Sequence, residues 1–258
     1  MARELRRLLI APERLRQRNA NAGRLALESG EQHYLARVLR LRAGDPVAVV
    51  DGQGSLWQAR CGEGPWLETF SVLIEAAEQP APRPSLRLAL GLPRRELELI
   101  WRMATELGID QLQPLQADRS QPSERPALER WQAIVREATE QCERLWLPQL
   151  HEPIPARAFL EQATGGLRLL ATTRSNGLPL LERVLAATDL RATELVSLAI
   201  GPEGGWSPEE EEGAIASGWQ PVSLDQAILR TATAAVGGSA RLAAWRSLSC
   251  ASCRGPSP

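Results

Sequence analysis

Leu195-Val-Ser-Leu-Ala-Ile-Gly-Pro-Glu-Gly-Gly-Trp-Ser-Pro-Glu-Glu210 reads as a strand, a turn and a helix start in one short stretch. Leu195–Ile200 is the brief apolar run of a strand covered on both faces. Gly201–Gly205 is a turn in which missing Cβ atoms let the backbone approach another group closely. Ser207, Pro208 and Glu210 then take the N-cap, N1 and N3 positions of a helix, with further acids favoured by its dipole. One strand feeding one helix through a tight turn is a step of an α/β fold.

Outward from this stretch the alternation continues. Leu86–Leu92 predicts a strand, and 94–107 a helix with Gly108 as its C′ residue. Gln111–Gln116 predicts a strand, Pro126–Trp146 a long helix and Leu167–Thr172 another strand. Pro221–Leu224 is a last short strand, and Thr231–Ser247 an alanine-rich closing helix. The fold class is therefore α/β, with a mostly parallel sheet and helices on its faces. Upstream the rhythm differs. Asp45–Arg60 reads as two strands around a glycine-rich turn and Thr69–Glu75 as a third, a small β-rich module. Gln79-Pro-Ala-Pro-Arg-Pro84 separates the two patterns as a linker. The expected organisation is a β-rich domain over 1–79, an α/β domain over 80–249, and a flexible tail over 250–258.

The chain has 258 residues, 43% of them hydrophobic, enough for a substantial core and against intrinsic disorder. No apolar run approaches the ~18–20 residues that span a bilayer, and the apolar stretch after Met1 stops at Pro12. A soluble, cytoplasmic protein with no membrane partner is expected. Four scattered cysteines do not make a disulfide scaffold. Cys250 and Cys253 alone have ligand-like spacing, without the second pair a structural zinc needs, so no metal is expected.

All 30 basic residues are arginine. That excludes a Walker A lysine, a Schiff-base lysine and a lysine general base. The charge is also uneven: the first 42 residues carry ten arginines against four glutamates, although the whole chain sums to −1. A basic module joined to an acidic one suits a protein that grips a polyanion with one end, against the competing account of a merely solvated surface.

Three features could carry chemistry. The Gly201–Gly205 turn follows a strand, where ligands of open α/β sheets bind, and offers the Glu203 carboxylate to a polar ligand. Its spacing is neither a dinucleotide fingerprint nor a P-loop. Leu224-Asp-Gln-Ala-Ile-Leu-Arg-Thr-Ala-Thr-Ala-Ala235 follows the next strand: Ile228 and Leu229 would floor a pocket, with Arg230 a fixed cation at its edge. Thr231 and Thr233 would cap the closing helix. His33, Arg37 and Arg40 fall at i, i+4 and i+7, one helical face suited to phosphate and base contact. His151, among prolines, reads as a loop residue, and the dispersed tryptophans as core.

Together these blocks resemble the ribosomal RNA small subunit methyltransferase E family, of the SPOUT class of α/β-knot methyltransferases. Gly201-Pro-Glu-Gly-Gly205 and Leu224…Ile-Leu-Arg-Thr-x-Thr-Ala234 are similar to its signature. Arg7-Leu-Leu-Ile…Pro12 and His33…Arg37-Val-Leu-Arg-Leu-Arg-Ala-Gly-Asp45 are similar to its PUA-like module. Thr105-Glu-Leu-Gly108, Arg119-Ser120 and Glu140-Gln-Cys-Glu-Arg144…Pro148 resemble its middle segments. The likeness spans nearly the whole chain. It departs at Pro93-Arg-Arg-Glu96, where the family has lysines and a glycine, and at Asp225, Ala227 and Ala232, which replace a Gly, an Arg and a Glu.

The resemblance implies a trefoil-knotted α/β domain behind a PUA-like domain, a homodimer, and methyl transfer from S-adenosylmethionine to N3 of one uridine of 16S rRNA in the assembled 30S subunit. The cofactor would lie on the Thr172–Arg174 loop with Ile200, Gly201, Glu203, Gly204, Gly205, Leu224, Ile228, Leu229 and Thr233. Arg230 and Glu203 are the catalytic candidates. Arg230 would orient the uracil and stabilise its enolate-like oxygen, while the N3 proton could pass to Glu203, to water or to a phosphate. Arg7, His33, Arg37, Arg40, Arg119 and Arg144 would position RNA through its phosphates. The alternatives are an RNA-binding or ribosome-assembly protein that kept the fold without turnover, and a sibling knot methyltransferase acting on tRNA.

Overall fold

The computed structural model describes residues 6–17, 23–120, 127–162, 165–173, 177–189 and 192–251. The chain divides into two compact units, one of residues 1–81 with 136–147 and one of 82–135 with 148–258.

The first unit runs β1 (Arg7–Leu9), α1 (Pro12–Gln17), β2 (Leu25–Ala26), α2 (Ser29–His33), β3 (Pro46–Val50), β4 (Leu56–Cys61) and β5 (Trp66–Ile74). The strand order is β1-β3-β4-β5-β2, with β1 parallel to β3 and every other pairing antiparallel. In β3, Val47 and Val49 pack on one face with Leu8, Ile10, Ala59 and Leu67, while Ala48 and Val50 pack on the other with Leu9, Leu56 and Leu145. A strand apolar at four successive positions needs cover on both faces, and Leu145 and Trp146 supply it on the second.

After α2 the chain widens into a π-turn over Tyr34–Val38, with the Leu39 N–H on the Tyr34 carbonyl at 2.9 Å. Arg40 lies beyond it at φ 55. The expected i, i+4, i+7 face therefore does not form as one helical stripe. The extra residue in the turn shifts the register, and Arg40 is outside the helix, although His33, Arg37 and Arg40 are all exposed.

The second unit comprises β6 (Ser85–Gly91), α3 (Leu97–Glu106), β7 (Gln111–Gln116), α4 (Leu128–Gln141), β8 (Gln149–Leu150), β9 (Ile154–Pro155), α5 (Ala156–Glu161), β10 (Leu167–Ala171), α6 (Leu181–Ala186), β11 (Leu195–Ile200), α7 (Pro208–Ala216), β12 (Gln220–Val222) and α8 (Thr231–Ala251). From Arg136 onward α4 is grouped with the first unit. All seven strands are parallel, in the order β12-β10-β11-β6-β7-β8 with β9 also on β7. Leu86, Leu88 and Leu90 of β6 and Val196, Leu198 and Ile200 of β11 face α3, α6 and α8. Their opposite-facing neighbours Ala89 and Ala199 are small, and Trp206, Trp219 and Phe159 fill the space over them beside α5 and α7. Each fully buried leucine or isoleucine contributes roughly 1.5–3 kcal/mol relative to exposure. At Gly238 a Cβ would stand 2.5 Å from Leu198 Cδ2, so α8 lies close against β11 only because that position is glycine.

Two helices start later than the sequence predicts. The expected helix over 94–107 begins at Leu97, because Glu96 takes the left-handed conformation (φ 66) and Arg94 and Arg95 remain in a loop. The expected helix over Pro126–Trp146 is ordered as Leu128–Gln141. The tail is described only as far as Ala251, within α8, so Cys253 lies outside the described residues. No helix among those described is long and apolar enough to cross a membrane.

Candidate active site

The loops that leave the carboxyl ends of β6, β7, β10, β11 and β12 line one cleft of about 1190 Å³. This is where open parallel sheets offer room, since strands end there and helices have not yet begun. The cleft brings together Thr172, Ile200, Gly201, Glu203, Gly204, Gly205, Leu224, Ile228, Leu229, Arg230 and Arg119. These include both catalytic candidates and nearly all the cofactor candidates from three separate parts of the chain. Thr233 is exposed on α8 and does not line it, and Arg174 lies outside the described residues.

Close backbone approaches shape the wall. A Cβ on Gly91 would stand 2.5 Å from Pro202 Cδ, so the end of β6 meets the Gly201–Gly205 turn directly. A Cβ on Gly204 would stand 2.9 Å from the Arg119 Cβ, and Arg119 donates to the Gly204 carbonyl at 2.9 Å. Gly205 has φ 71, the backbone conformation the turn requires, and a Cβ there would meet nothing.

Arg119 is held from behind. Ser207 Oγ donates to Asp118 Oδ2 at 2.6 Å, Arg157 lies 2.6 Å from the same oxygen, and the Asp118 N–H donates to Glu210 Oε1 at 2.9 Å. Glu210 and Ser207 also form the capping box of α7. The Arg157 and Ser207 hydrogen bonds hold the Asp118 carboxyl below its usual value. The loop after β7 is thus tied to the start of α7, which places Arg119 beside the glycine turn.

The polar groups of the cleft are of two kinds. Glu203 Oε1 accepts the Arg94 N–H at 2.9 Å, and Glu211 Oε1 accepts from Thr172 Oγ1 at 2.9 Å. Arg230, by contrast, is exposed and its guanidinium has no hydrogen bond or ion pair among the described residues. Its carbonyl accepts the Ala234 N–H at 2.8 Å, so α8 starts on it and its Cα is fixed. Asp225 accepts the Ala227 N–H at 3.1 Å, an Asx turn that shapes the loop leading to Arg230. Ile200, Leu224 and Leu229 give apolar walls, and Ile228 is 67% exposed on the rim.

Arg94, Arg95, Glu211 and Glu212 also line the cleft and were not among the sequence candidates. The signal for the arginines was the paired cation after a strand, and the acids were legible only as a helix N-terminus. Among the described residues no group of three or more His, Cys, Asp or Glu could hold a metal ion. In the first unit His33, Arg37 and Arg40 are exposed, while Arg144 is half-buried. Arg7 is turned inward: its guanidinium donates to the Glu143 carbonyl and lies 3.0 Å from the Glu143 carboxylate.

The chain is similar to known proteins. Residues 72–243 match a family described as an RNA methyltransferase domain, and residues 27–60 an RNA methyltransferase PUA domain. The chain is 43% identical over 238 residues to the ribosomal RNA small subunit methyltransferase E of Synechocystis sp., covering 88% of this chain and 74% of that protein. It is 31% identical over 231 residues to the same-named protein of Mycobacterium bovis, covering 83% and 84%. Among solved structures it is similar to a ribosomal RNA small subunit methyltransferase E from Neisseria gonorrhoeae bound to S-adenosyl methionine, with TM-score 0.72, 26% identity, and 87% and 92% of the two chains covered.

Proposed function

The chain belongs to the ribosomal RNA small subunit methyltransferase E family, and from that premise we propose that it methylates N3 of one uridine of 16S rRNA within the assembled small subunit. It is an rRNA methyltransferase, with a SPOUT-type α/β-knot unit behind an N-terminal PUA domain. We place it in the cytoplasm as a homodimer, and sedimentation of the purified chain tests the second statement.

The cleft suits S-adenosylmethionine in shape and donor set. It combines apolar walls at Ile200, Leu224 and Leu229 with a backbone bared at Gly205 and carboxylates at Glu211 and Glu212. Bound there, the cofactor supplies an electrophilic methyl group on a sulfonium.

The residues of the chain supply the rest. Uridine N3 carries a weakly acidic proton, and negative charge spreads to the flanking carbonyl oxygens as that proton leaves. Arg230 offers donors to that charge without first breaking a bond of its own. A preorganised donor of this kind is usually the largest single catalytic contribution. An arginine does not act as the base, because a guanidinium keeps its proton throughout the working pH range of a protein. Arg119 beside Gly204 adds a second cation for the RNA backbone.

The guanidinium of Arg230, without a partner among the described residues, carries this reading. Labelled S-adenosylmethionine would be incubated with 30S subunits from cells lacking the modification, beside free 16S rRNA, tRNA and the Arg230→Ala variant. Label at N3 of one uridine of the 30S, lost in the variant, is expected. Label on tRNA would move the substrate class. No label, with no cofactor binding by calorimetry, would leave an RNA-binding protein in a methyltransferase fold.

A further inference from the structure

We propose that Glu203 is a positioning residue, a latch that fastens the 93–96 loop to the Gly201–Gly205 turn and so holds Arg94 and Arg95 at the cleft as a cationic rim for incoming RNA. The inference rests on the rRNA methyltransferase reading of the same cleft.

Several observations meet at this point. The strand end that leads into the 93–96 loop lies against the glycine turn, where a Cβ on Gly91 would stand 2.5 Å from Pro202 Cδ and 2.8 Å from its nitrogen. The two loops touch where Glu203 Oε1 accepts the Arg94 N–H at 2.9 Å. Pro93 has no N–H to offer, so the Arg94 N–H is the first backbone donor of this loop. Glu96, the N-cap of α3, sits at φ 66 with no side-chain hydrogen bond to cap the helix. A non-glycine residue in that region persists only where its surroundings over-determine it. Two residues upstream, the Glu203 carboxylate holds the chain that leads into it.

The geometry gives Glu203 a task other than that of a base. Its carboxylate joins two loops that both line the cleft, and Arg94 and Arg95 are exposed on the tethered one. With the latch closed, Arg94, Arg95, Arg119 and Arg230 border one opening, a cluster that phosphates of single-stranded RNA would recognise. The N3 proton then leaves to water or to an RNA phosphate.

Glu203→Gln keeps an acceptor oxygen and removes the charge, whereas Glu203→Ala removes both. Amide hydrogen exchange of the cofactor-free full chain over residues 92–98 reads the latch directly, whatever the enzyme's substrate. Exchange is expected to rise in the Ala variant and to stay near wild type in the Gln variant. With 30S subunits, the Ala variant should raise KM about tenfold, the loss of one charge-assisted hydrogen bond, with kcat changed less than about threefold. The Gln variant should restore KM. Arg94→Ala and Arg95→Ala should raise KM without faster exchange at the latch.

Unchanged exchange in Glu203→Ala would overturn the latch. Loss of kcat in Glu203→Gln as complete as in Glu203→Ala, together with loss of the acid limb of the pH profile, would make Glu203 the base instead. Altered exchange in a protein that methylates no RNA would keep the latch and sink the reading on which its purpose rests.

Discussion

In the N-terminal unit Arg14 lies 2.5 Å from Glu31 and 3.2 Å from Glu28, Arg136 lies 3.5 Å from Glu31, and Arg7 meets Glu143. Among the described residues of the C-terminal unit, Arg119 donates to the Gly204 carbonyl, and Arg230 makes no hydrogen bond or ion pair. The side chain is the same and its surroundings are opposite. Glu31 is 7% exposed, and a carboxylate so buried demands a cation, so Arg14 is committed to the fold. Arg230 is committed to nothing among the described residues and can give its full fork of donors to a ligand. In a chain whose cations are all arginine, pairing separates the structural ones from those that work.

Four measurements would break or sharpen that contrast. Arg230→Ala should lower kcat by roughly 10²–10³, as loss of an oxyanion donor does, with stability within about 0.5 kcal/mol of wild type in urea. A comparable loss of stability would mean that Arg230 is structural after all. Arg14→Met should do the reverse, lowering stability by about 2–4 kcal/mol because Glu31 is left buried, with kcat of the folded fraction retained. An unaltered urea midpoint would show that Glu31 is not desolvated.

Arg37→Ala and Arg40→Ala come next. Both side chains are exposed in the first unit, and a cation removed from a phosphate of single-stranded RNA lowers the slope of log K against log salt by about 0.7. Arg7→Ala, whose guanidinium is engaged by Glu143, should leave that slope where it is. Equal slopes for all three would erase the distinction between paired and unpaired cations.

Glu140→Gln should give the smallest effect. Burial raises the Glu140 carboxyl above its ordinary value of 4.5, against the opposing pull of the Leu9 N–H and Arg136, with Glu137 and Glu31 adding to the rise. A carboxyl whose folded value is raised supports the fold below its unfolded value and loses that support as pH climbs through the folded one. The Gln variant keeps an acceptor for the Leu9 N–H, which Glu140 receives at 2.7 Å in the wild type, and does not ionise. Its stability relative to wild type should therefore rise as pH climbs from the ordinary carboxylate range toward neutrality, and a fall over that window would reverse the sign assigned to burial.

The sequence was most legible where local rules govern. The Leu195–Ile200 strand, the glycine turn and the Ser207–Glu210 capping box form as their residues predict, because each depends on neighbours within a few positions. The π-turn at Tyr34–Val38 was not legible, since the apolar period that marks a helix does not register one inserted residue. Nor was the difference between Arg7 and Arg230. Arg7 finds its partner 136 residues away, a pairing that only the folded chain reveals. Glu203 stands out in the sequence for its place in the turn, but its bond to the Arg94 N–H depends on two strands lying side by side. Candidate residues could thus be gathered from the chain, while their partners, and hence their tasks, required the sheet.

The grouping of residues 136–147 with the N-terminal unit has a consequence for how the protein is made. The strands β1, β3, β4 and β5 are complete by Ile74, but Leu145 and Trp146, which cover Leu9, Ala48 and Val50, arrive only after β6, α3, β7 and α4 have been synthesised. During that interval a nascent chain carries a half-covered sheet, and the C-terminal unit must wait longer still, for α8. A chain released at residue 81 would be a sheet with one bare face rather than a finished domain. Neither unit can mature by itself in the order of translation, so stalling or cleavage between residues 82 and 135 strands both at once.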